Sequence, residues 1–91
     1  MKYKAIPWTV EAVQFRNTKE CMAELCELGL DYVTIREKES GHVLEFENFL
    51  GLVTVKEGDY IVRTDEKAGH WFTALDKKSF EQAYEPAERE N

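Results

Sequence analysis

The sequence predicts an α+β fold: a single small domain in which a curved antiparallel β-sheet of about five to six strands carries one long helix on a face and a short C-terminal helix. Three observations predict it. A capped segment with helical spacing begins near Asn17. A series of short alternating runs follows, separated by glycine-containing turns. A second capped segment with an apolar stripe ends at Pro86.

The elements follow in order. "AIPWTVEAVQF", Ala5 to Phe15, is rich in β-branched and aromatic residues and reads as a strand. Pro7 cannot donate to a sheet ladder, so it marks the beginning or an edge. Val10 and Ala12 fall on one side of this strand, Val13 and Phe15 on the other. Either the strand is buried on both faces near its end, or a bulge switches its register. In "NTKECMAELCELG", Asn17 is placed to cap a helix, with Glu20 three residues on as in a capping box. Met22, Leu25, Cys26 and Gly29 recur at helical spacing, and Gly29 suits the left-handed residue that closes a helix.

"DYVTIRE", Asp31 to Glu37, alternates, with Val33 and Ile35 on one side. After the turn "KESG", the run "HVLEFEN" alternates again, Leu44 and Phe46 inward, Glu45 and Glu47 outward. The two runs predict a β-hairpin. Phe49 to Val55 predicts another strand, bent at Gly51. "KEGD" is a turn in which Gly58 takes positive φ at no steric cost. "YIVRT" and "HWFTAL" are two more strands, joined by a charged loop from Asp65 to Gly69. In "DKKSFEQAYE", Asp76 caps a short helix whose stripe is Phe80, Ala83 and Tyr84. Consecutive strands on short turns are expected to pair antiparallel. The domain is expected to span 1–86, with 87–91 a polar tail.

Totals constrain the function classes. Ninety-one residues make one domain and one modest core. An apolar share of 43% with 12% aromatics argues against disorder. No apolar run approaches the roughly 20 residues of a membrane-spanning helix, and "MKYKAIPWTV" has no secretion-signal pattern. The net charge of −6, from 18 acids and 12 bases, disfavours a nucleic-acid binder. The acids are scattered, which favours solubility over mimicry of nucleic acid in a partner's basic groove. Cys21 and Cys26 stand five apart on the helix. That spacing sets their side chains about 140° apart, unsuited to a shared metal or a mutual disulfide. They read as two small buried or half-buried thiols.

"VEAVQF", "EGDYIV", the aromatic strand "HWFTAL" and "FEQAYEP" together resemble a widespread group of small phage and prophage proteins. That group reads as "VEAVQW", then "PGDWIV", an aromatic strand and "FEKTYEP". The resemblance runs from Val10 to Pro86, and Gly58, Asp59, Ile61, Val62, Phe80, Glu81, Tyr84 and Glu85 fall on matching positions. The chain departs at Glu57, where the group has proline, in its longer charged loop from Thr64 to His70, and at "LDKKSF". The motifs look like signatures of a fold and not of catalysis. The resemblance implies a phage or prophage origin, a host-cytoplasm setting and a role without an assigned activity.

Few residues carry candidate catalytic chemistry. His42 and His70 have no cysteine near them in sequence to suggest a zinc site. Ser40 and Ser79 lack a nucleophile-elbow context, and "KEGD" is no phosphate loop. The aromatics remain: Trp8, Tyr32, Tyr60, Trp71 and Phe72 lie on strands. Trp71 and Phe72 point to opposite faces, so one joins the core and the other is either a partner anchor or covered by the C-terminal helix or another copy.

The leading expectation is therefore a non-enzymatic accessory protein that binds a host protein, for example as a host-takeover or anti-defence inhibitor. A second reading is a small-ligand binding or sequestering protein, with Tyr60, Arg63, His70 and Trp71 around a pocket at the sheet's open face. A third is a virion structural or assembly role as a homo-oligomer. No cofactor, metal, nucleic acid or membrane is expected as a partner, and the expected setting is the bacterial host cytoplasm.

Overall fold

The computed structural model describes residues 2–5, 8–66 and 69–86. Among these residues eight strands and two helices follow in the order β1 (Lys2–Ala5), β2 (Trp8–Gln14), α1 (Lys19–Leu28), β3 (Thr34–Lys38), β4 (Gly41–Asn48), β5 (Gly51–Lys56), β6 (Tyr60–Glu66), β7 (Gly69–Leu75), α2 (Lys77–Ala83) and β8 (Glu85–Pro86). The α+β class stands. The single sheet of about five to six strands is corrected to two antiparallel sheets. One has five strands in the order β7-β6-β2-β1-β8, the other three in the order β3-β4-β5. No described helix is long and apolar enough to cross a membrane. The expected tail, 87–91, lies outside the described residues, as do Pro7 and the side chain of Trp8.

Why two sheets form is visible at the "KEGD" turn. It reads as a hairpin, yet β5 and β6 do not pair. Gly58 takes φ 96° and its amide donates to the Phe15 carbonyl at 2.9 Å, while the Phe15 amide donates to the Asp59 carbonyl at 2.8 Å. These long-range bonds turn the chain out of one sheet and start β6 beside β2, with Val13 opposite Ile61 and Ala12 opposite Val62. Glu57 accepts from the His42 amide at 3.3 Å and so braces the corner against the β3–β4 turn.

Of the two readings open for β2, burial on both faces is correct. Its pairing with β6 runs unbroken from Glu11 to Gln14, and Ala12, Val13 and Phe15 are all buried. Two cores result. Val13, Phe15 and Ile61 meet α1 (Cys21, Leu25, Leu28) and the three-stranded sheet (Leu44, Phe46, Val55). On the opposite face Ala12, Tyr60 and Val62 meet Phe80 of α2.

The first helix is capped by Thr18 and not by Asn17 as expected. The Thr18 hydroxyl accepts from the Cys21 amide at 3.1 Å. Its buried stripe is Cys21, Leu25 and Leu28, so Cys26 faces solvent and is not the half-buried thiol expected. Cys21 Sγ accepts from the Arg16 amide at 3.3 Å and donates to the Gln14 carbonyl at 3.6 Å. Burial pushes its pKa up. Gly29 closes α1 at φ 103° as expected. Arg63 reaches across from β6 and donates to the Leu28 carbonyl at 2.7 Å, which serves one of the helix's orphan acceptors.

The second helix is tied down at both ends. Asp76 caps it through the Ser79 amide at 3.1 Å, and Asp59 takes the Lys77 amide at 3.0 Å. The Phe80 ring lies between Tyr60 (3.9 Å, 14°) and Tyr84 (4.7 Å, 25°), and the Tyr60 hydroxyl donates to Glu81 at 3.0 Å. Ala83, expected on the apolar stripe, is exposed, and Tyr84 lies just past the helix. The "EGDYIV" and "FEQAYEP" segments are therefore the two halves of one joint.

Candidate functional site

A groove of about 960 Å³ opens where β3 begins late. The expected strand from Asp31 starts only at Thr34, which pairs with Glu45. Asp31, Tyr32 and Val33 thus leave the sheet edge, while β4 continues through Phe46, Glu47 and Asn48 paired to β5 alone. The groove lies between these two segments. Phe46 and Phe72 form its base, their rings edge to face at 6.4 Å. The loop from Gly29 to Val33 makes one wall, and Glu47 with Leu52 the other.

This end of the molecule also carries the exposed large apolar side chains found among the described residues. Tyr32 is 91% exposed and Leu52 63%, and both line the groove. Phe49 and Leu50, 72% and 77% exposed, form the β4–β5 turn two to three residues before Leu52. A turn of this kind is ordinarily polar. Clustered exposed apolar side chains on a folded domain mark an interaction surface. The turn is held in place from its base. Asn48 donates from Nδ2 to the Phe72 carbonyl on the edge strand β7 at 2.9 Å, and its Oδ1 accepts from the Leu50 amide at 2.8 Å.

The groove is acidic. Asp31, Glu45 and Glu47 line it against one cation, Arg36. Arg36 is engaged by Glu45 at 2.6 Å, and this hydrogen bond pushes the guanidinium pKa above its already high value. The pair neutralises Glu45 and leaves Asp31 and Glu47 as the groove's uncompensated charges.

The four residues expected around one pocket, Tyr60, Arg63, His70 and Trp71, are split between the two faces of the five-stranded sheet. Tyr60 is 5% exposed and stacked on Phe80 in the second core. Arg63 lies on the other face, bound to the end of α1 and to Asp65 at 3.0 Å. His70 is exposed beside Phe72 at 5.5 Å. Trp71 is half-buried, its ring edge to face with Phe49 at 5.2 Å. Arg63 and His70 therefore border the groove through Gly29 and Phe72, while Tyr60 and Trp71 lie on the opposite face of the sheet. Of the two neighbouring rings expected on opposite faces, Phe72 is the one that packs against the first core and Trp71 lies on the far face.

Tyr32, Leu52 and the Phe49–Leu50 turn come together at a site that the strand pattern does not predict. The usable signal was the unbroken apolar run "FLGL" across a glycine turn. A second concavity, about 240 Å³, is lined by Glu11, Glu24 and Glu27 with Val13 and Leu28. No protein-family model, curated protein or solved structure matches the chain.

Proposed function

We propose that this chain is a phage or prophage accessory protein that acts by docking on a host protein, not by catalysis, and that it works in the host cytoplasm. One observation carries the reading: among the described residues the large exposed apolar side chains, Tyr32, Phe49, Leu50 and Leu52, gather at one end of the domain, where Tyr32 and Leu52 line a groove. Aromatic and aliphatic anchors beside a concavity are the usual centre of a protein interface. The phage assignment rests on the resemblance of the segments around Val10, Gly58 and Phe80. Inhibition of a host defence or takeover of a host enzyme is the form such docking takes.

The test is capture from bacterial lysate by the full chain and by its Leu52→Lys variant. A host protein retained by the parent and lost by the variant supports the reading. Retention that ignores Leu52, or no retained protein, overturns it. A small-ligand role is the second reading, favoured by the groove's volume, which lies in the range of ligand pockets of roughly 300–1,000 Å³. It requires thermal stabilisation by a metabolite, again sensitive to Leu52.

A further inference from the structure

We infer that the groove takes an extended, basic segment of its partner, which adds as a strand to the open edge of β4 at Phe46–Asn48. The inference rests on the docking function proposed above and deepens it. Three observations point the same way.

The first is the edge itself. β4 is paired on both sides only as far as Glu45; beyond it Phe46 and Glu47 have β5 on one side and the groove on the other, and Asn48, bonded to the Phe72 carbonyl, ends the edge. Unpaired strand edges offer a row of backbone donors and acceptors, and an extended chain satisfies them at ladder spacing. The second is the alternation of the walls. A bound strand sends successive side chains to opposite faces. One set meets the apolar base at Phe46, and the other meets Glu47 and its cross-strand neighbour Leu52. The third is charge. With Glu45 bonded to Arg36, Asp31 and Glu47 set the sign of the groove, on a chain of net charge −6. Complementarity selects lysine or arginine in the incoming segment and speeds its encounter. The same charges select against a second copy of this chain. A two-fold pairing through the groove places Asp31 and Glu47 near their own counterparts.

The experiment is selection of a random octapeptide library against the full chain, followed by titration of the most enriched peptide. The expected result is enrichment of peptides that alternate apolar residues with lysine or arginine. Binding of the chosen peptide should weaken by about tenfold in the Asp31→Asn, Glu47→Gln double variant, fall as salt is raised, and slow amide exchange at residues 46–48. Enrichment of acidic or charge-free peptides overturns the inference, as does binding without protection at residues 46–48. Concentration-dependent dimerisation abolished by Leu52→Lys also overturns it, because the occupant is then a second copy. No enrichment alongside Leu52-dependent capture of a host protein removes the basic-strand mode and leaves the docking function standing. No enrichment and no such capture removes both.

Discussion

Replacing Phe80 with alanine should remove a large part of the stability of this domain. The ring is 1% exposed and stacks on Tyr60 at 3.9 Å and Tyr84 at 4.7 Å. Burying a phenylalanine side chain contributes about 1.5–3 kcal/mol, and each aromatic contact adds about 0.5–1.5 kcal/mol. Those figures agree with the measured range of about 3–5 kcal/mol for truncating a core phenylalanine. A domain of this length has about 5–14 kcal/mol in all. The midpoint of thermal unfolding should fall by about 12–40 °C, since 1 kcal/mol shifts a domain of this size by about 4–8 °C. Urea unfolding followed by far-ultraviolet circular dichroism measures the change, with an unchanged m-value as the condition for reading it as stability. Phe80→Leu keeps most of the volume and should lose about 1–2 kcal/mol. A loss below about 1 kcal/mol for Phe80→Ala, at constant m, refutes the claim that α2 closes a second core.

Three further outcomes follow from the same geometry. Arg63→Met keeps an apolar stem but leaves the Leu28 carbonyl without its guanidinium donor, so chemical denaturation should show a loss of about 1–3 kcal/mol. In the native protein a thiol reagent should modify exposed Cys26 promptly and Cys21 only on unfolding, because Cys21 is buried and its pKa is raised; mass spectrometry of the labelled chain resolves the two. Asp76 is held below the usual carboxylate range by the Ser79 amide and hydroxyl, and Glu81 by Lys77 and then by the Tyr60 hydroxyl. Both carboxyls therefore bind protons less readily folded than unfolded. Their contribution is present above the ordinary carboxylate pKa of about 4 and is lost as pH falls through the lowered values, so the urea midpoint should drop at the acid end, less steeply in Asp76→Asn.

Local chemistry made much of the fold legible. Asp76 reads as a cap and Gly29 as a helix stop because each satisfies backbone groups within a few residues. The hairpin of β3 and β4 follows from alternation alone, with Leu44 and Phe46 inward and Glu47 outward. The split into two sheets was not legible. Whether Gly58 closes a hairpin or turns a corner depends on its bond to Phe15, 43 positions earlier, and no local pattern encodes that partner. The groove was missed for a related reason. Tyr32 reads as an alternate member of a strand beginning at Asp31, yet the register of β3 on β4 starts at Thr34, so Tyr32 falls off the sheet into solvent. The capping residue shifted by one, from Asn17 to Thr18, within the ordinary uncertainty of helix ends.

Burial of β2 and β6 on both faces has a dynamic consequence. Lifting α2 away uncovers Ala12 and Val62 but leaves Val13 and Ile61 sealed, and detaching the three-stranded sheet does the reverse. Neither partial opening frees the ladder between these strands. Its amides should exchange with solvent deuterium only through global unfolding, while β3 to β5, which reach the rest of the molecule through a corner and packing rather than a shared ladder, open as a unit of their own. The groove would then sit on the more pliable half of the protein, hung from a rigid pair of strands.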